Sequence, residues 1–564
     1  MSCILLASSK FGVKPDSIIL LLPLWLIATV ALYLLGNPPS APAVFPDELC
    51  RLGWARLLSN TGPHYQMGLG GYCQPTYSLF LAVLKWMTQD PAELYRATFL
   101  LNSSLAAACL PLAIRLSVQH FRLDWGPALV CGLAILAYPS LTLYSYHAWP
   151  ETALYPAVLL AFMAWCNWVD SPRWRQFILL FAIGIGLYAL HRKMLVIPLV
   201  LLGGVIIGYW FESTVEYRKR ALLSMLAFAV FLLLDDFVKT TAMSAYWESG
   251  DVQIIDRFAK LSSFEFAQNV IGKSAGILVY ASIVTGGLVW VVLADGLNSI
   301  LSGARDRFRS LNQFQKKAAF PAVLVILLIL KTAFFLGASP RLDTWFYGRH
   351  VDPALAVSLL PAVSMIWTQR ISWSVIATAA LLAMTVFAIL ANTIPGPPWL
   401  DFSSIHVIGA GAFVESLAQL QTRWALLAWC AAALSVTAAI CLVRLPGLFR
   451  LAAIGPFAVI TLVTHLTTMP FTGVPVDEAF PKSATVALRK AERCHVVWNR
   501  GVQGRLRVHQ FFRLQYYFPN CTIESAIPDP CSAPDYMIIT LEHFTDCAPE
   551  MQAHPIHPDL ILYQ

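Results

Sequence analysis

Residues 17 to 36, SIILLLPLWLIATVALYLLG, carry no charged side chain. They form a run long enough to cross a hydrocarbon core of about 30 Å as a helix. In lipid, every backbone N–H and C=O of such a run must be satisfied within the segment, which leaves the helix as its only open-chain solution. Runs of this kind recur near 94 to 116, 127 to 146, 150 to 169, 176 to 190, 194 to 210, 221 to 237, 272 to 294, 318 to 338, 351 to 367, 373 to 392, 424 to 442 and 451 to 468. Composition agrees, with 57% hydrophobic and 13% charged residues, against about a quarter charged in soluble domains. The expected fold is a polytopic all-α membrane domain of about 13 transmembrane helices over residues 1 to 469, then a small soluble α/β domain over 470 to 564. In that tail ATVALRKAERC has helical spacing, whereas CHVVWNRG and PDYMIITLEHF contain strand-like apolar runs.

Orientation follows from the basic residues. Lys10 and Lys14 precede the first run, and no small-residue cleavage site follows it, so it reads as a retained helix with a cytoplasmic N-terminus. Alternation then puts Arg115, Arg122, Arg173, Arg175, YRKR at 217 to 220, RDRFR at 305 to 309, Arg370, Arg444 and Arg450 on the inner side, as the positive-inside rule expects. An odd number of spans leaves the tail periplasmic or extracytoplasmic. The net charge of +7 resides mostly in these inner loops and implies no nucleic-acid partner.

Cysteine placement fits that topology. Of twelve cysteines, Cys50 and Cys73 fall in the first outer loop, and Cys494, Cys521, Cys531 and Cys547 in the tail. An even number in each outer segment is what disulfides in an oxidising compartment give, and the sequence leaves the pairing within the tail open. NCT at Asn520 matches a glycosylation acceptor pattern.

The long connections, 37 to 93, 238 to 271 and 393 to 423, all face outward, where loops on a rigid scaffold carry binding and chemistry. Within the first, CRLGWARLLSNT and PTYSLFLAVLKWM read as helices lying along the interface. Four distant segments bring ionisable groups to this side: FPDELCRLG with Asp47 and Glu48, HAWPETALYP with Glu151, LYALHRKMLVIP with His191, Arg192 and Lys193, and RLDTWFYGRHVDP with Arg341, Asp343, Tyr347, Arg349, His350 and Asp352. Charge near a membrane boundary is costly unless solvated, paired or part of a site. Each group also has a structural reading. Asp47 is a candidate helix cap, Glu151 a helix-dipole partner, the HRK run an interfacial anchor, and Arg349 a loop-closing partner of Asp343 or Asp352.

The order of these motifs, PDE after the first helix, then YRATFLLNSSLAAACLPL, YPSLTLYSYHAWPETALYP and FYGRHVDP, resembles the GT-C superfamily of polyprenyl-phosphate-sugar-dependent integral membrane glycosyltransferases of bacterial type. The resemblance covers about the first 370 residues and departs from the usual pattern at His350 and Lys193. It implies a lipid-phosphate-sugar donor, a glycan, glycolipid or protein acceptor, and transfer on the outer face in cell-envelope assembly.

In such enzymes a first-loop carboxylate takes the proton from the attacking hydroxyl. Asp47 is the first candidate here and Glu48 the second. Arg349 suits a phosphate through its planar fork, with His350, His191, Arg192 and Lys193 as further donor-phosphate candidates, and Glu151 and Tyr347 positioning substrate. No cofactor is required. A divalent cation would need several oxygen ligands, which Asp47, Glu48 and Glu151 supply only in part. The absence of GxxxxGK[ST] and HExxH removes support for nucleotide-driven transport and zinc proteolysis. The competing readings are a transporter or flippase for lipid-linked sugar and a non-catalytic glycan-binding assembly subunit. Transporters often carry internal repeats meeting at mid-membrane, and no convincing repeat occurs here.

Overall fold

The computed structural model of the chain describes residues 18–36, 45–60, 73–88, 90–203, 215–246, 263–305, 312–339, 341–368, 371–394, 407–408, 410, 495–499, 518, 522–526, 537–540, 553–557 and 560–563. The expected spans at 424 to 442 and 451 to 468, the tail helix, Asn520 and the four tail cysteines lie outside the described residues.

The chain is mostly helical. Helix α1 (Ile18–Leu35) is followed by α2 (Phe45–Ser59), α3 (Thr76–Met87), α4 (Pro91–Ala107), α5 (Cys109–Phe121), α6 (Trp125–Leu136), the short α7 (Pro139–Tyr144), α8 (Glu151–Asp170) and α9 (Trp174–Leu190). After a 3-10 turn, Arg192–Leu195, come α10 (Val215–Tyr246), α11 (Phe264–Val284), α12 (Leu288–Arg305), α13 (Gln313–Leu336), α14 (Asp352–Trp367) and α15 (Trp373–Thr393). Among the described residues, Pro91–Phe121, α8, α13 and α15 are long and apolar enough to cross a membrane. Leu34, Leu233 and Phe237 are 68%, 71% and 69% exposed, faces that water would penalise and lipid does not.

Local chemistry sets several helix ends. Asp90 accepts from the Ala92 and Glu93 amides at 2.7 and 3.0 Å and caps α4. Asn312 and Gln315 exchange side-chain-to-backbone bonds in a capping box that starts α13.

The structure corrects one sequence expectation. The run at 272 to 294 is not one straight span: α11 and α12 meet at 119°. The break falls at Gly286 and Gly287, whose φ values of 55° and 80° are open to glycine without strain. Apolar periodicity runs through a bend that only backbone freedom reveals. Helix α14, from the run expected as a span at 351 to 367, is buried at every residue from Asp352 to Ile366, with other helices packed around it.

At one end of α8, Asp170 joins α5, α8 and α13. Lys317 Nζ lies 2.7 Å from Asp170 Oδ1, and His120 Nδ1 3.0 Å from Oδ2. Glu151 opens the same helix at its other end, roughly 29 Å away at 1.5 Å per residue. Within the tail, β1 (His495–Asn499), β2 (Thr522–Ala526), β3 (Met537–Thr540), β4 (Ala553–His557) and β5 (Leu560–Tyr563) form a sheet of order β2-β1-β3-β5-β4. β1 is parallel to β2 and β3, and β5 antiparallel to β3 and β4.

Candidate active site

The first loop folds into two helices braced by a disulfide. Cys50 on α2 is bonded to Cys73, with their Cα atoms 6.4 Å apart. Trp54 Nε1 donates to the Cys73 carbonyl at 2.9 Å, and Arg51 to that of Gln74. Helix α2 starts at Phe45, so Asp47 sits inside its first turn rather than at the cap position. Asp47's side chain lies outside the described residues.

Its neighbour Glu48 is fully buried. A carboxylate out of water needs donors, and two are supplied: the hydroxyl of Tyr95 and the amide of Ala148, the latter at 2.8 Å from Oε1. His147 Nδ1 lies 3.8 Å from the same oxygen. The turn that presents Ala148 is itself fixed, because Asn102 Nδ2 donates to the His147 carbonyl at 2.5 Å while Asn102 Oδ1 accepts from the Tyr77 hydroxyl at 2.8 Å. Glu48 thus ties the first-loop helix to the turn preceding α8.

Three residues further, Glu151 opens α8. Arg349 Nε lies 2.5 Å from its Oε1, and His191 Nε2 3.6 Å. Arg349 does not pair with Asp343 or Asp352. Asp343 is held by Arg341 through bonds of 3.0 and 2.7 Å, and Asp352 accepts from Tyr138, Tyr280 and Tyr144 at 3.0, 2.8 and 3.4 Å. The Arg349 guanidinium carbon lies 3.9 Å from the ring centroid of buried Trp149, a cation–π contact that sets the plane of the cation. His147 flanks the same indole at 4.7 Å. Gly348, next to Arg349, lets the Tyr280 ring lie against the backbone: a Cβ there would meet that ring at 2.0 Å.

The His191 ring Nδ1 accepts from the Lys193 amide at 3.2 Å, capping the 3-10 turn. That bond leaves the neutral ring's proton on Nε2, facing Glu151. Burial pulls the His191 imidazole down to about 4, outweighing the Glu151 carboxylate, whose charge Arg349 already balances. His350, buried beside His191 at 6.1 Å between ring centroids and beside Tyr347 at 4.7 Å, is also held well below the usual imidazole range, by burial and then by Lys193 and Lys331.

Glu48, Glu151, His191, Tyr347, Arg349 and His350, from four sequence segments, therefore converge. Tyr188, four residues before Arg192, donates from its hydroxyl to Asp235 at 2.7 Å. Sequence reading passed over Tyr95, Asn102 and His147. The available signal was Tyr95 and Asn102 recurring seven apart, on one face of an apolar helix. Among the described residues no group of three or more His, Cys, Asp or Glu side chains is arranged to hold a metal ion.

No family model matches the sequence, and neither does any curated protein. Solved structures do match. The apo crystal structure of ArnT from Cupriavidus metallidurans aligns over 96% of this chain and 97% of its own, with TM-score 0.50 and 14% identity. The form bound to undecaprenyl phosphate aligns over 97% and 98%, with TM-score 0.50 and 13% identity. The chain therefore shares its fold with ArnT over nearly its full length.

Proposed function

We propose that the protein is an inverting glycosyltransferase that moves a sugar from a polyprenyl-phosphate carrier to an acceptor hydroxyl on the outer face of the inner membrane. The observation that carries this reading is the convergence of Glu48, Glu151, Arg349 and His191 in a fold shared with ArnT, one structure of which holds undecaprenyl phosphate. In this reading the chain has thirteen spans, a cytoplasmic N-terminus and a periplasmic domain over 470 to 564. The acceptor is a glycan, glycolipid or protein of the cell envelope, and no metal or other cofactor takes part.

The acceptor oxygen attacks the anomeric carbon from the face opposite the phosphate. As that bond forms, the anomeric C–O bond to phosphate breaks and its electron pair leaves on the polyprenyl phosphate. The hydroxyl proton passes to Asp47 as general base. Glu48 anchors the first turn of α2 through Tyr95 and Ala148, which fixes the backbone that carries Asp47. The leaving phosphate needs charge stabilisation rather than a proton, and Arg349, oriented by Glu151 and Trp149, supplies it with Lys193 and His350. Tyr347 borders the donor.

Purified protein in nanodiscs, given a panel of polyprenyl-phosphate sugars, tests the reading. Transfer is expected with at least one donor. It should persist in Glu48→Gln, which keeps an accepting oxygen, and vanish in Asp47→Asn. Full activity of Asp47→Asn removes Asp47 as the base, and absence of transfer across the panel and acceptors removes the enzyme reading.

A further inference from the structure

Gly276 and Tyr280 lie four residues apart on α11, so they stand one above the other on a single face. That face receives the chain at 345 to 348. A Cβ at Gly276 would collide with the Trp345 carbonyl oxygen, and glycine is what lets the two backbones come this close. Buried Lys273, one turn earlier, fixes the stretch that leads in. Its ammonium donates to the carbonyls of Leu336 and Ser339 at 2.5 and 2.6 Å, satisfying the end of α13.

Fully buried Tyr280 makes the contact that matters most for the site. Its ring lies against Gly348, and its hydroxyl faces two acceptors, Asp352 Oδ1 at 2.8 Å and the Ile408 carbonyl at 2.9 Å. Gly348 and Asp352 are the ends of one turn, closed by the Val351 and Asp352 amides donating to the Gly348 carbonyl at 2.7 and 3.0 Å. Arg349 is the second residue of that turn. Tyr280 thus grips the backbone on both sides of Arg349, while Glu151 and Trp149 engage its guanidinium. Tyr138 and Tyr144 also donate to Asp352, so that carboxylate does not depend on Tyr280 alone.

We propose that Tyr280 is a positioning residue for the transfer reaction, holding the turn at 348 to 352 so that Arg349 meets the leaving phosphate in a fixed place. Through the Ile408 carbonyl the same hydroxyl ties the outer connection to this turn. The inference rests on the role proposed above for Arg349. Negative charge on the phosphate grows as the anomeric bond breaks, so a loosened turn costs the transition state more than the bound donor.

Tyr280→Phe keeps the ring against Gly348 and removes the hydroxyl, and Tyr138→Phe, which removes a different donor to Asp352, is the comparison. In nanodiscs, with the donor that wild type uses, Tyr280→Phe should lower kcat by about tenfold or more and leave KM within about threefold. Tyr138→Phe should keep kcat within about threefold of wild type while lowering the thermal midpoint as Tyr280→Phe does. Added to Arg349→Lys, Tyr280→Phe should cost about twofold or less, because the group it positions is already altered. Phenylglyoxal labelling of arginine, read by mass spectrometry, reports position without turnover. Tyr280→Phe should label Arg349 about fivefold faster than wild type, the loss of one hydrogen bond, with Arg341 as internal reference, and Tyr138→Phe should not.

Unchanged kcat in Tyr280→Phe, an equal loss in Tyr138→Phe, full additivity with Arg349→Lys or unchanged labelling of Arg349 each overturns the proposal and leaves the donor class standing. Absence of transfer by wild type across the donor panel overturns the enzyme reading and this role with it, while the labelling still decides whether Tyr280 holds Arg349.

Discussion

Arg349 Nε and Glu151 Oε1 lie 2.5 Å apart although 198 residues separate them in the chain. Their side chains are 8% and 1% exposed, so this is a buried ion pair in which each partner depends on the other for its counter-charge. Removing one member of such a pair strands the other.

Arg349→Ala is therefore expected to lower unfolding stability by about 3–5 kcal/mol, and Glu151→Ala by a similar amount. The double variant should lose less than the sum, which a double-mutant cycle on denaturation midpoints reads directly. Strict additivity would show that the pair is not coupled.

Arg349→Lys keeps the charge but loses the planar fork and the fit to Trp149. Transfer activity should fall by about 100-fold or more, with stability less affected than in the alanine variant. Comparison of kcat/KM with thermal midpoint separates the two effects.

Tyr95→Phe removes one of the donors that hold Glu48 while leaving ring volume almost unchanged. The expected cost is about 1–3 kcal/mol, because the carboxylate stays buried. Tyr95→Phe combined with Glu48→Gln should recover part of it; chemical denaturation of the single and double variants checks this.

His191 gives stability a pH dependence. Its folded value of about 4 lies below the ordinary 6.5, so between these values the unfolded chain binds more protons than the folded one. The contribution is present in full above pH 6.5, falls as the pH drops, and is exhausted below about 4, amounting to on the order of 3 kcal/mol. Denaturation midpoints of wild type and His191→Asn, followed from pH 7 to 4, should converge toward the acid end. Parallel curves would contradict the assignment of a neutral buried imidazole.

The Cys50–Cys73 bridge closes a loop of sequence separation 23 around the carboxylate-bearing helix. The double serine variant should lose about 2–4 kcal/mol, and proteolysis should map the new cleavage sites to the first loop.

Charge-free runs and their lengths made the membrane helices readable from sequence, because lipid forces each run to satisfy its own backbone. Outer-loop cysteines likewise pointed to Cys50 and Cys73, and the first-loop helices showed in their apolar spacing. The bend at Gly286 and Gly287 did not, since hydropathy is blind to a positive φ within an apolar run. Nor did the partners of the charged groups. Local sequence offered Asp343 and Asp352 to Arg349, yet Arg341 and three tyrosines occupy those carboxylates, and packing of α14 against α8 brings Arg349 to Glu151 instead. Which residues carry charge to one end of the helices is a property of sequence. Which charges meet is decided by the tertiary structure, because pairing energies depend on distance and burial, and neither is encoded in spacing along the chain.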